Sequence, residues 1–239
     1  MIKKYLSNLY IETEDFKRKT LRETLKNLGQ FDFFLDVGCW DGEATIDAIS
    51  ETKVKNIFGI EPVESGAKIA NSRGIKTKSF SVDKELWDYE DETFDCINNC
   101  EVIEHLNNLD FFFEQASKKI KPGGYFVTTT NNLASFHNIF SLMMGWAPFD
   151  LTNSSIKTWS IGNPFSLHKN QILTDRGETW THKCVYTPYW LIKWMELYDF
   201  EFIDYKGIGF YPFPPFFGSI FKKHSAFFTL VMRKKLIKV

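Results

Sequence analysis

The chain has 239 residues, with 29 basic and 30 acidic side chains and a formal net charge of −1. That length suits one α/β domain with an insertion, and the balanced charge leaves no electrostatic footprint for a long polyanion, so a nucleic-acid partner is not expected. Cys39, Cys96, Cys100 and Cys184 lack metal-type spacing and fit a reducing, cytoplasmic compartment, and no window reaches the roughly 18–20 apolar residues of a membrane span.

In chain order, the opening MIKKYLSNLYIETEDF is interrupted by charge, so no secretory leader is expected. Residues 1–28 read as a helical cover, with Leu21, Leu25 and Leu28 on one face and Gly29 as a stop. An apolar run, Phe33 to Leu35, then stops at Asp36 and turns through Gly38 and Gly42. An amphipathic segment, Ala44–Ile49, leads to a second apolar run, Ile57–Ile60, which stops on Glu61. Strand, glycine turn, helix, strand, acid is the order of the nucleotide-binding half of a doubly wound sheet. Gly38 and Gly42 let the backbone approach a ligand closely, and Glu61 is placed to accept hydrogen bonds from two ribose hydroxyls. The Gly-x-Gly-x-x-Gly of a dinucleotide site is absent.

A short helix over Ser65–Ser72 ends at Gly74, and Ile75–Val82 reads as a third strand. Phe94–Asn98 is the fourth, Asp110–Ile120 an amphipathic helix, KPGG a turn, and Tyr125–Thr130 the fifth strand. Thr187–Tyr198 reads as a helix, Glu201–Tyr205 as a sixth strand, and Phe227–Met232 as a last strand antiparallel to it. Residues 131–186 stand outside this alternation: an aromatic helix followed by a polar loop, long enough to be a functional lid rather than slack. The expected architecture is a single α/β domain over 1–239, with a Rossmann-like, seven-stranded, mostly parallel sheet, helices on both faces and an antiparallel last strand.

Just past the fourth strand, where open α/β sheets bind ligands, Glu101, Glu104 and His105 are spaced i, i+3, i+4. One helical turn would put all three on one face. Two carboxylates pressed together repel unless neutralised, and a divalent cation is the usual remedy. His137, His168 and His224 read as surface or packing histidines, with His137 in reach of an acceptor. Phe111, Phe112 and Phe113 open a helix and supply core residues. Phe140, Met143, Met144, Trp146 and Phe149, with Phe210, Phe213, Phe216 and Phe217, read as core or subunit packing (a homodimer) ahead of an acceptor pocket or a peripheral contact with a lipid-linked substrate.

DVGCWDG followed by GIEP resembles the cofactor signature of S-adenosylmethionine-dependent methyltransferases with a Rossmann-like fold (class I), with Trp40 where the central glycine normally sits. Asp91, Glu92, Phe94 and Asp95 resemble that family's entry to the fourth strand, and the Pro-Gly-Gly turn its entry to the fifth. The resemblance implies S-adenosylmethionine as cofactor, bounded by Asp36, Gly38, Cys39, Trp40, Gly42, Glu61, Pro62, Ser81, Val82, Asn99 and Cys100. Val82 is the implied neighbour of the purine, and Ser81 or Asp83 the implied adenine contact. It also implies that the N-terminal helix leans over the cofactor pocket.

The Asn-Leu-Ala-Ser helix at 132–135 is similar to that of methyltransferases from surface-polysaccharide clusters. Glu-x-x-Glu-His with the later His182-Lys183 resembles small-RNA 2′-O-methyltransferases, whose two glutamates and two histidines hold magnesium. Ubiquinone-pathway O-methyltransferases carry a similar Glu-x-x-Glu-His. Three readings of Glu101, Glu104, His105 and His182 stay open: ligation of magnesium or another divalent cation, metal-free base catalysis by His105 or His182 beside Glu104, and a helix cap with packing. The implied activity is O-methylation of a sugar or other vicinal-diol small molecule or glycan. A quinone or phenol acceptor, and a non-catalytic S-adenosylmethionine-binding module, are the alternatives.

Overall fold

The computed structural model describes residues 2–166 and 177–236; His168 lies outside them. The apolar runs become β1 (Phe31–Val37), β2 (Val54–Ile60), β3 (Lys76–Lys78), β4 (Phe94–Cys100), β5 (Ile120–Asn131), β6 (Phe200–Ile208) and β7 (Phe227–Lys234). They form one sheet in the order β3-β2-β1-β4-β5-β7-β6. The first five strands pair in parallel, and β7 runs antiparallel to both β5 and β6. The expected fold is the observed one.

Side chains alternate across a strand, so neighbours in β1 enter different cores. Phe34 packs with Leu21 and Leu25 of α1 (Ile2–Leu28) and with Ala48 and Ile49 of α2 (Glu43–Ile49). Leu35 packs on the other face with Phe112 and Phe113 of α4 (Leu109–Lys119), the helix that follows α3 (Glu64–Ser72). That face also takes Leu191 and Met195, from the helix Pro188–Met195. Helices therefore cover both faces, as a mostly parallel sheet requires. No helix among the described residues is long and apolar enough to cross a membrane.

Three local expectations need correction. The third strand stops at Lys78 because the next residues bond to their own loop: Ser81 N–H donates to Glu85 Oε1 at 2.8 Å and Trp87 Nε1–H to the Val82 carbonyl at 3.0 Å. KPGG is not a turn ahead of the fifth strand but lies within β5, at a shift of register against β4 between Phe94 and Cys96. The aromatic groups at 140–149 and 210–217 are not core: Phe140, Met143, Met144, Phe213 and Phe216 are exposed, Met143 by 80%. α5 (Phe136–Met143) instead lays Phe136 in a stack on Phe210 at 5.5 Å, outside the sheet. Phe112 and Phe113 are core residues and Phe111 is half-buried.

Candidate active site

A cavity of about 1210 Å³ opens at the carboxyl ends of β1, β2, β4 and β5, under Leu6 and Tyr10 of α1. Pockets for one drug-sized ligand hold roughly 300–1,000 Å³, so this one has room for two small molecules side by side.

One end is built by the glycine turn. Gly38 has φ +76°, and a Cβ there would lie 2.5 Å from Val102 Cγ2, so the turn can pass β4 only as glycine. Trp40 adopts φ +45° and its backbone N–H donates to Glu61 Oε2 at 2.9 Å; Val63 N–H donates to Glu61 Oε1 at 2.9 Å. These two amides fix the Glu61 carboxylate at the end of β2, and a carboxylate oxygen can accept a second donor such as a ribose hydroxyl. The Trp40 indole lies over Gly66 of α3, where a Cβ would come within 2.9 Å of Cε3, and stands edge-on to Trp180 at 6.5 Å. A large residue at the usual glycine position is thus accommodated by a glycine one helix further on.

Pro62, Ser81, Val82 and Asp83 continue this wall. Asp83 is desolvated, yet Asn107 N–H at 2.8 Å and Ser81 Oγ–H at 2.8 Å outweigh burial and hold its carboxyl below the usual range.

Five of the expected cofactor residues are not brought to the cavity wall. Asp36 is buried behind the turn, accepting from Thr45 Oγ1 at 2.5 Å and Asn98 Nδ2 at 2.7 Å; burial pushes its carboxyl up to about 6. It braces β1 against α2 and β4. Cys39 packs against Gly59 and Thr77, and Gly42 caps α2 against Ile75 and Ala70. Asn99 turns to Thr128 Oγ1 and the Val127 carbonyl, and Cys100 packs among apolar neighbours under α1.

The other end of the cavity holds the Glu/His group. Only Ile103–His105 form a 3-10 turn, and Glu101 precedes it at φ +55°. The i, i+3, i+4 face is therefore broken, and Glu101 points to α1, where Lys17 Nζ lies 3.5 Å from its Oε2. Lys17 is nearly fully buried, also bonds Glu14 at 2.9 Å, and lies over the Phe227 ring at 4.5 Å. Replacing Lys17 with Met should cost about 2 kcal/mol in urea denaturation. That is less than the roughly 3–5 kcal/mol for breaking a fully buried pair, because the Glu101 side chain keeps 31% exposure.

Glu104, His105 and His182 do come together: each offers a ligand atom, and these lie within 4.8 Å of one another. Backbone bonds dock the later loop onto the 3-10 turn, with Lys183 N–H donating to the Glu104 carbonyl at 2.6 Å. His105 Nδ1 meets the Thr181 carbonyl at 3.1 Å and His182 Nδ1 the Asp150 carbonyl at 2.6 Å. A carbonyl only accepts, so each Nδ1 carries the proton and each neutral ring has its lone pair on Nε2. The ring centroids are 4.8 Å apart. Both histidines line the cavity; Glu104 sits fully buried behind them, its Oε2 accepting from Thr130 Oγ1 at 3.0 Å and its Oε1 without a partner among the described residues. Burial lowers the His105 pKa and raises the Glu104 carboxyl to about 7.

Two imidazole nitrogens, their rings oriented by backbone carbonyls, and one orphaned carboxylate oxygen fit a divalent cation. The mixed donor set suits manganese, iron or zinc better than magnesium, which prefers oxygen ligands. Glu101 is not part of the set. Of the lone histidines, His137 lines the cavity and His224 is exposed, bonded to the Ala134 carbonyl at 2.8 Å. Sequence reasoning missed Lys17, Asn131 and Asp150. Asn131 could have been found from its place at the carboxyl end of β5; the other two depend on long-range packing.

Solved structures share this architecture. A methyltransferase from Thermotoga maritima, described as an S-adenosylmethionine-dependent enzyme and possible histamine N-methyltransferase, superposes with a TM-score of 0.59 over 96% of this chain and 94% of its own at 17% identity. The fold is thus that of the Rossmann-like, class I methyltransferases. A family model described as a methyltransferase domain matches residues 10–205, and the chain belongs to that S-adenosylmethionine-dependent family. The ubiquinone biosynthesis O-methyltransferase of Pelagibacter ubique is 27% identical over 146 residues, 56% of this chain and 57% of that protein. The Rhizobium leguminosarum protein of the same name is 34% identical over 106 residues, 41% and 40% of the two chains. The chain therefore spans about half the length of these curated relatives, or less.

Proposed function

We propose that this domain transfers the methyl group of S-adenosylmethionine to one hydroxyl of a small molecule bearing adjacent hydroxyls. The observation that carries this reading is the Glu104, His105 and His182 cluster opening onto the same cavity as Glu61 and Trp40. The sulfonium of the bound cofactor supplies an already activated methyl, so the chain's contribution is alignment and proton handling. Glu61 and Asp83 set acidic side chains at the cofactor end, complementary to a cationic ligand. The acceptor oxygen forms a bond to the methyl carbon as the carbon–sulfur bond breaks, and S-adenosylhomocysteine leaves. The hydroxyl proton must go to a base, and His105, kept neutral by burial and with its lone pair on Nε2, can take it. A divalent cation held by Glu104, His105 and His182 would occupy that same Nε2 lone pair and instead lower the hydroxyl's own pKa, the proton then passing to solvent.

Two acceptor classes present adjacent oxygens: sugars and catechol-type phenols. The polysaccharide-cluster resemblance of residues 132–135 favours the first, and the names of the ubiquinone-pathway relatives favour the second. Calorimetric titration with S-adenosylhomocysteine should give saturable heat; its absence refutes the cofactor. Chelation should abolish methylation, and manganese should restore it better than magnesium. Turnover indifferent to chelator assigns the proton to His105 alone.

A further inference from the structure

A second polar group lines the same cavity: Asn131 at the end of β5, His137 in the first turn of α5, and Asp150. Asn131 Nδ2 donates to Asp150 Oδ1 at 2.8 Å. A carboxylate only accepts, so this contact fixes which way the amide faces. The Asn131 Oδ1 that results is buried in a residue only 4% exposed and has no partner among the described residues. Asp150 Oδ2 accepts from Asn138 Nδ2 at 2.6 Å and lies 3.7 Å from His137 Nε2. His137 Nε2 also meets Ser135 Oγ at 3.4 Å; with its proton between that hydroxyl oxygen and the carboxylate, the ring's lone pair lies on Nδ1. That Nδ1 is also buried without a partner among the described residues. The imidazole is held edge-on by Phe149 at 5.5 Å and Tyr211 at 5.3 Å.

A buried acceptor left unpaired is destabilising, because its lost hydration is not replaced. Here there are two, both on cavity-lining residues and both oriented by one carboxylate, so a ligand bringing O–H donors would offset both. We infer that Asn131 and His137 form an acceptor subsite that reads hydroxyl groups other than the one methylated, so that the acceptor is a sugar-type polyol. Asp150 is a positioning residue for both sides: its carboxylate orients Asn131 and His137, and its carbonyl sets the tautomer of His182. The inference rests on the methyl-transfer reading and selects between its two acceptor classes. A simple catechol has only two hydroxyls; with both at the Glu104 cluster it leaves both lone pairs unmatched. A site built to bond hydroxyls discriminates strongly against a ligand lacking them.

The test compares the full chain with Asn131→Leu, His137→Phe and His137→Gln. Methyl transfer to myo-inositol and methyl hexopyranosides is followed beside transfer to catechol, with S-adenosylhomocysteine affinity as control for folding and for the cofactor site. Wild type should methylate a polyol. Asn131→Leu and His137→Phe should raise its KM by about ten- to a hundredfold with kcat within about threefold, and leave catechol kinetics unchanged. His137→Gln, which keeps an acceptor oxygen, should retain most polyol transfer. Transfer to catechol alone or to no polyol, an unchanged polyol KM, or an equal loss with both acceptors overturns the subsite. Failure of the wild type to bind S-adenosylhomocysteine would instead overturn the methyl-transfer reading beneath it.

Discussion

Replacing Glu104 with glutamine is expected to lower kcat by about 10²–10⁴-fold, the span of a general acid–base contribution, with S-adenosylhomocysteine affinity nearly unchanged. The amide is nearly isosteric, and its oxygen can still accept from Thr130 Oγ1, so the fold is preserved. What disappears is the negative charge behind the two imidazoles. With a cation in the cluster, that charge is its one anionic ligand; without one, it stabilises the imidazolium formed when His105 takes the proton. Single-turnover methylation together with calorimetric titration separates the two quantities. An unaltered kcat would remove this cluster from the chemistry.

Without a cation, the protein should lose stability as pH rises from about 5 to 8. Burial raises Glu104 to about 7, against an ordinary 4.5. A carboxyl whose folded pKa lies above its unfolded value holds a proton that the unfolded chain has released. Stability is therefore greatest below about 4.5 and falls until the folded group ionises. For Glu104, which is fully buried, the loss is on the order of 3 kcal/mol. Asp150 acts oppositely: burial raises it, but the His137 and Asn138 donors outweigh that and depress it, so its contribution is lost only at more acid pH. A divalent cation at about 100 times its Kd should return about 2.7 kcal/mol at pH 8. Tm measured from pH 5 to 8, with chelator and with manganese, in wild type and Glu104→Gln, checks this. A wild-type Tm that rises across that window relative to the variant would contradict the buried-acid arrangement.

Most of the sheet was legible because its signals are local. Phe33 to Leu35 stopping at Asp36, and Ile57–Ile60 stopping at Glu61, are apolar runs of strand length flanked by glycine or acid, and both are strands. Ile75–Val82 misled because Val82 is apolar for a different reason: it packs beside Trp87 in a loop held by side-chain bonds. At the site, the resemblance to small-RNA 2′-O-methyltransferases implied the pairing of Glu104 and His105 with His182, and the three do meet. Glu101 belonged to the same motif yet turns to Lys17, since helical spacing predicts a shared face only where a full turn forms, and φ +55° interrupts it. Asp150 gave no signal at all. Its role depends on where the chain between α5 and His182 folds back, which periodicity does not encode.

The insertion of β7 between β5 and β6 also governs how this chain is made. While residues 227–234 are still within the ribosome, seven backbone positions of β5, Tyr125 through Asn131, have no neighbour on that side. An unpaired hydrophobic strand edge is an aggregation hazard, and here it coincides with the strand that carries Asn131. Until residues 227–234 emerge, the nascent polypeptide keeps that edge open to chaperone capture or to pairing with another copy.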